Sequence, residues 1–128
     1  MKVIIIEDET PAASRLGKLL QAISNEINIV AKLDSVASAV TYFQSAAQPD
    51  LIFMDIQLAD GLSFDVFEQV QIKTPVIFTT AFDQYTLKAF KVNSIDYLLK
   101  PIDENELRLA VEKYQKLYHK KPMIMPTS

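Results

Sequence analysis

The chain alternates short apolar runs with longer stretches in which apolar residues recur every three or four positions. The runs are four to seven residues long and rich in β-branched residues, which is typical of β-strands. Those that begin at Val3, Leu51 and Val76 do not alternate with polar residues, as expected of parallel strands covered on both faces. The run at 27–33 alternates better and is expected at an edge. The predicted strands are residues 3–6, 27–33, 51–54, 76–79 and 95–99.

The stretches between the strands have the apolar spacing of amphipathic helices. Ser35 and Asp83 are each placed to cap the helix that follows, and Asp103 with Glu106 forms an Asp-x-x-Glu capping box. The predicted helices are residues 12–23, 36–47, 62–70, 83–92 and 107–118. Five strands that alternate with five helices predict an α/β fold with a doubly wound parallel sheet and right-handed crossovers.

Composition excludes several classes of protein. The 128 residues carry 13 basic and 16 acidic side chains, a net charge of −3, and no long basic run, so we expect no nucleic-acid surface on this chain. There is no cysteine, one histidine and two glycines, which excludes thiolate metal sites and the Gly-x-Gly-x-x-Gly motif. No apolar run is long enough to span a membrane, and a cytoplasmic location is expected. Residues 120–128 contain two prolines and no periodicity, so we predict one domain over 1–119 and a linker or tail after it.

Charged and hydroxyl side chains follow the predicted strands, at the edge of a parallel sheet where ligands bind. Glu7 and Asp8 follow the first strand, Asp55 the third, Thr80 the fourth and Lys100 the fifth. Each alone has an ordinary explanation as a turn or helix-cap residue, but their coincidence at successive strand ends favours a site. Clustered carboxylates need a cation, and Mg²⁺ suits oxygen ligands of this kind. A lysine and a hydroxyl beside them would stabilise a phosphoryl group on Asp55, since carboxylates can form aspartyl phosphates.

Four segments resemble the receiver domain of bacterial response regulators, over about residues 2–118. They are IIIEDE, LIFMDIQLADG, VIFTTA and IDYLLKP. The resemblance implies a flavodoxin-like fold and a phosphorylation-controlled switch in two-component signal transduction, with a sensor histidine kinase as the phosphoryl donor. It also implies that Asp55 is the phosphoacceptor. The Mg²⁺ ligands would be Asp8, Asp55 and the backbone carbonyl of Gln57, with Glu7 acting through water.

The same resemblance assigns the residues that respond to the phosphoryl group. Thr80 and Lys100 would hold the phosphoryl oxygens, and Tyr97 would change rotamer together with Thr80. The segment TTAFDQYTLKAFKVNSIDYLLKPID is similar to receivers of the LytTR type, which control transcription through a C-terminal DNA-binding domain. The final residues KKPMIMPTS resemble the start of a linker to such a domain, so either a shortened LytTR regulator or a stand-alone receiver is expected.

The surface formed by the predicted helix 83–92, strand 95–99 and the helix after Asp103 mixes both signs of charge with apolar residues. Such a surface suits a twofold contact, and we expect phosphorylation to strengthen a homodimer there, with Lys91 among the contacting residues.

The loop after the phosphoacceptor departs from the pattern of many receivers. Gly61 is six residues after Asp55 rather than eight, and Leu58 and Ala59 stand where a proline is common, so the loop is two residues shorter. A phosphohydrolase of the haloacid dehalogenase type would need a second aspartate where Gln57 stands, and the chain is therefore expected not to be an enzyme. The alternative is a degenerate or stand-alone receiver that acts as a protein-interaction module.

Overall fold

A computed structural model describes residues 1–45, 47–82 and 94–118 of the chain. The predicted helix 83–92 and the predicted tail 120–128 lie outside these residues. The elements, in chain order, are β1 (Lys2–Ile6), α1 (Thr10–Ile23), β2 (Asn28–Leu33), α2 (Val36–Ser45), β3 (Leu51–Asp55), β4 (Gln57–Leu58), β5 (Gly61–Leu62), α3 (Phe64–Gln69), β6 (Val76–Thr80), β7 (Ser94–Leu99) and α4 (Glu104–Leu117).

Five strands form one parallel sheet in the order β2-β1-β3-β6-β7. The residues of β3 and β6 are buried throughout, whereas those of β2 alternate between exposed and half-buried. This agrees with their positions, because a central strand is covered on both faces and β2 lies at an edge. The predicted doubly wound parallel sheet is confirmed.

Each face of the sheet has its own apolar core, because successive side chains of a strand point to opposite faces. Val3 and Ile5 of β1 pack in the core beneath α1 and α4. Ile4 and Ile6 pack in the opposite core, beneath α2 and α3. The two cores support the central strands from both sides and hold their carboxyl ends at one edge of the sheet. Within the described residues, no helix is long and apolar enough to cross a membrane.

Two predicted helix caps are confirmed in the structure. The Ser35 hydroxyl accepts a hydrogen bond from the Ser38 amide at 2.9 Å, and the Asp103 carboxylate accepts one from the Glu106 amide at 3.0 Å. These bonds satisfy amides that have no acceptor within the first turn of a helix.

The segment after β3 differs from the prediction. Residues 57–62 form an antiparallel hairpin of β4 and β5, and the helix predicted over 62–70 begins only at Phe64. The hairpin loop is Ala59 and Asp60, followed by Gly61 with a φ of +150°, a conformation that side chains other than glycine rarely adopt. The Asp-Gly pair therefore makes a turn here, and Leu62 belongs to a strand.

Candidate functional site

The acidic residues converge because β1 and β3 are neighbours in the sheet. Ile6 is paired with Met54, so Glu7 and Asp55 end adjacent strands side by side. Glu7, Asp8 and Asp55 each offer a carboxylate oxygen within 4.8 Å of the others. Glu7 and Asp55 are each 7 % exposed, and Asp8 is the most exposed of the three. The structure therefore brings together the three carboxylates that the sequence placed at two strand ends.

Lys100 enters this cluster from the end of β7. Its Nζ donates to Glu7 Oε1 at 2.6 Å and to Asp55 Oδ2 at 2.8 Å, and its backbone amide donates to the Thr80 carbonyl at 2.7 Å. Burial by itself lowers the pKa of Lys100, but the hydrogen bonds to Asp55 and Glu7, and then their charges, raise it above the ordinary value. The ammonium is therefore charged at neutral pH and neutralises part of the acidic cluster.

Asp8 is compensated less than Glu7 and Asp55, because the charge of Lys100 lowers its pKa but does not outweigh the opposing causes. Partial burial, and next a hydrogen bond with Glu7, raise the pKa of the Asp8 carboxyl above its ordinary value. A shift in this direction means that ionised Asp8 is unfavourable in the fold as it stands. Three carboxylates next to one ammonium leave an excess of negative charge. Their oxygen atoms are the ligands that a hard divalent cation such as Mg²⁺ prefers. The side chains at this edge therefore fit a Mg²⁺ site.

An open pocket of about 360 Å³ adjoins the cluster. It is lined by residues at or just after the ends of β1, β3, β6 and β7 and by the residues of β4, namely Asp8, Glu9, Asp55, Gln57, Leu58, Ala81, Phe82 and Lys100. The pocket is large enough for a phosphoryl group with its surrounding waters and has both acidic and basic groups on its walls. It is the place where a ligand would meet Asp55.

Of the other predicted site residues, Gln57 lines this pocket, and Thr80 and Tyr97 are bonded to Phe82, which lines it. Gln57 begins the hairpin, and its backbone amide donates to Asp55 Oδ1 at 3.2 Å. Thr80 ends β6 and is buried, and its hydroxyl accepts from the Phe82 amide at 3.2 Å. The Tyr97 hydroxyl on β7 donates to the Phe82 carbonyl. Thr80 and Tyr97 are thus both bonded to Phe82, which lines the pocket, so one residue connects the two predicted switch positions.

Asp60 is a residue at this edge that the sequence analysis did not single out. Its carboxylate oxygens accept from the Val36 amide at 2.7 Å and the Ala37 amide at 3.0 Å, at the start of α2. The Asp-Gly pair signals a turn in the sequence. The acceptor role has no local signal, because the two amides lie 23 and 24 residues away.

A family model for the response regulator receiver domain matches residues 3–112. The chain therefore belongs to the receiver domain family of response regulators, the proteins of two-component signal transduction. It is 41 % identical over 119 residues to the sensory transduction protein LytT of Enterococcus faecalis, which covers 91 % of this chain and 48 % of that protein. LytT of Bacillus cereus is 37 % identical over the same length, with the same coverage.

Solved structures give the same assignment. The response regulatory domain of protein mrkE from Klebsiella pneumoniae superimposes with a TM-score of 0.81 at 31 % identity, over 94 % of this chain and all of that domain. The similarity to the LytT proteins agrees with the resemblance to LytTR-type receivers. The chain spans about half the length of the curated relatives it matches.

Proposed function

We propose that this chain is a phosphorylation-activated receiver and that Asp55 accepts the phosphoryl group. A carboxylate oxygen of Asp55 would attack the phosphorus of a phosphohistidine on a sensor histidine kinase. The new phosphorus–oxygen bond would form as the phosphorus–nitrogen bond breaks, and the imidazole would leave. The observation that carries this proposal is the convergence of Glu7, Asp8 and Asp55 within 4.8 Å, with Lys100 bonded to Asp55 at 2.8 Å.

The residues around Asp55 have distinct parts in this proposal. Lys100 reduces the repulsion between the acidic cluster and an incoming phosphoryl group, and afterwards its ammonium would bond to a phosphoryl oxygen. Mg²⁺, held by Asp8, Asp55 and the Gln57 carbonyl with Glu7 acting through water, would offset the charge that develops during transfer. The Thr80 hydroxyl, which accepts from the Phe82 amide, would donate its own proton to a phosphoryl oxygen. Tyr97, which is also bonded to Phe82, would change rotamer.

The proposed output is regulatory rather than enzymatic. The relatives are named as sensory transduction proteins and span about twice the matched length, which supports control of transcription through a separate LytTR DNA-binding domain. A cytoplasmic location remains a prediction.

The homodimer surface also remains a proposal, and Lys91 lies outside the described residues. In the described part of this surface, Leu99 and Leu109 are 43 % and 64 % exposed, and both suit a contact with a second copy of the chain. Arg108 and Glu104 are charged residues of the same surface, and Arg108 bonds within its own helix, to Glu104 at 3.3 Å and Asn105 at 3.0 Å.

The test is incubation with acetyl phosphate and Mg²⁺, followed by intact mass measurement. We expect the wild type to gain one phosphate and Asp55→Asn to gain none, because the amide removes the nucleophilic oxygen while keeping the size. Loss of labelling in excess chelator is expected as well. Labelling of Asp55→Asn would disprove the assignment, and an unlabelled wild type would favour the interaction module. Sedimentation with and without beryllofluoride then decides whether the modified form dimerises.

A further inference from the structure

The Asp60 side chain joins the hairpin of β4 and β5 to the start of α2. Asp60, in the hairpin loop, accepts hydrogen bonds from the first two amides of α2, those of Val36 and Ala37. The first amides of a helix have no acceptor within the helix, so a carboxylate there is strongly bound. These two bonds lower the pKa of Asp60, so the carboxylate is ionised at neutral pH. A bidentate contact of this kind holds the loop against the start of α2.

Two side chains cap the start of α2. Ser35, immediately before the helix, accepts from the Ser38 amide at 2.9 Å, and Asp60 accepts from the Val36 and Ala37 amides. Ser35 belongs to the chain next to the helix, whereas Asp60 lies in the hairpin loop, so only the Asp60 bonds also hold the hairpin. A Cβ added at Gly61 would lie 3.8 Å from Val36 Cγ2, an ordinary van der Waals distance, so the hairpin loop and the first residue of α2 are direct neighbours.

The other end of the hairpin reaches the candidate phosphoacceptor. The Gln57 amide donates to Asp55 Oδ1 at 3.2 Å, while Oδ2 of the same carboxylate accepts from Lys100. Gln57 is paired with Leu62 across the hairpin. A two-stranded hairpin is marginally stable by itself, and this one has only two residues in each strand, so its position depends on its attachments.

We propose that Asp60 is a positioning residue for the phosphoacceptor site. By holding the hairpin to α2, it keeps the Gln57 amide on Asp55 and the Gln57 carbonyl at the cation site, and so raises the affinity for Mg²⁺ and the rate of phosphoryl acceptance. The inference rests on the proposed function, since it assigns Asp60 a part in the same site. The Asp60 side chain also links α2 to Asp55, because only residues 56–59 lie between Asp60 and the phosphoacceptor along the chain.

The test compares Asp60→Ala with Ser35→Ala. Both variants remove a hydrogen-bond acceptor from the same end of α2, but only the first releases the hairpin. We expect both to lower the melting temperature. Asp60→Ala should weaken Mg²⁺ binding by about tenfold, as loss of groups that orient metal ligands typically does, and slow labelling by acetyl phosphate. Ser35→Ala should leave Mg²⁺ affinity, measured by isothermal titration, and the labelling rate unchanged.

Asp60→Asn keeps an acceptor for one of the two amides, so its Mg²⁺ affinity should lie between those of the wild type and Asp60→Ala. If Asp60→Ala does not fold, Asp60→Asn is compared with Ser35→Ala instead. Equal Mg²⁺ affinities for the Asp60 and Ser35 variants would overturn the inference. The two proposals fail separately: a wild type that binds Mg²⁺ but is never labelled contradicts the proposed function, whereas the Mg²⁺ titrations alone decide the role of Asp60.

Discussion

Carboxylates serve opposite purposes in two regions of this molecule. Asp60 and Asp103 each accept hydrogen bonds from backbone amides at the start of a helix. Glu7, Asp8 and Asp55 instead lie beside one another. An amide dipole at a helix start favours the charged form of its carboxylate, whereas a neighbouring carboxylate opposes it. The capping aspartates therefore stabilise the fold, whereas ionised Asp8 is unfavourable in a cluster that suits a cation.

The pKa shifts have opposite signs in the two regions. Hydrogen bonds from Val36 and Ala37 lower the pKa of Asp60, while burial and then Glu7 raise that of Asp8. A lowered carboxyl pKa adds stability that is present above the ordinary pKa of the group and lost as the pH falls through the folded value. A raised carboxyl pKa adds stability that is present below the ordinary pKa and lost as the pH rises through the folded value. The expected sign of the change in unfolding free energy therefore depends on the region in which a carboxylate is replaced.

The largest change in stability is expected for Lys100→Ala. The variant leaves Glu7 and Asp55 buried without their ammonium partner, and such losses cost about 2 kcal/mol or more of unfolding free energy. Mg²⁺ should stabilise the variant more than the wild type, because the cation takes over the neutralisation. Urea unfolding at neutral pH, with and without Mg²⁺, measures both effects.

The control for this measurement is Lys113→Ala, which removes an exposed lysine of α4 and should change little. Equal stabilisation of Lys100→Ala and the wild type by Mg²⁺ would show that Lys100 and the cation do not serve the same carboxylates.

A smaller effect, of opposite sign, is expected for Asp8→Asn. Because the folded pKa of Asp8 is raised, the fold holds its proton more tightly than the unfolded chain. Stability is therefore lost as the pH rises from the ordinary value of 3.8 through the folded value. The asparagine removes this loss, so the metal-free variant should be more stable than the wild type at neutral pH, and the difference should vanish in acid.

Urea unfolding of Asp8→Asn as a function of pH checks this sign, and Glu112→Gln, at an exposed position of α4, serves as the control. The same variant should respond less to Mg²⁺. A variant less stable than the wild type at neutral pH would contradict the assignment of Asp8 to an unfavourable cluster.

The smallest effect on the site is expected for Asp103→Ala, at the other capping aspartate. Loss of the bond to the Glu106 amide should cost about 1 kcal/mol of unfolding free energy, the usual value for an N-cap. Mg²⁺ affinity and labelling by acetyl phosphate should not change, since Asp103 has no bond to the acidic cluster among those recorded for the described residues. A tenfold loss of Mg²⁺ affinity would show that capping and cation binding are not separable here.

The strand ends illustrate how far local patterns reach. Apolar runs without alternation predicted β3 and β6. Asp55 and Thr80 directly follow these runs and were therefore predicted at the edge of the sheet. The structure places both residues at these strand ends: β3 ends at Asp55 and β6 ends at Thr80. The hairpin after β3 was not predicted, because two-residue strands have too few residues for any periodicity to be recognised.

The sequence by itself determined which groups are present at the carboxyl edge of the sheet and in which order the strands and helices follow one another. Only the tertiary structure decided that Lys100 contacts both Glu7 and Asp55, 93 and 45 residues away, and that Asp60 reaches the start of α2. The physical reason is that periodicity records which face of an element is buried. Distances between atoms far apart in the chain depend on strand order and register, which arise when both cores pack together.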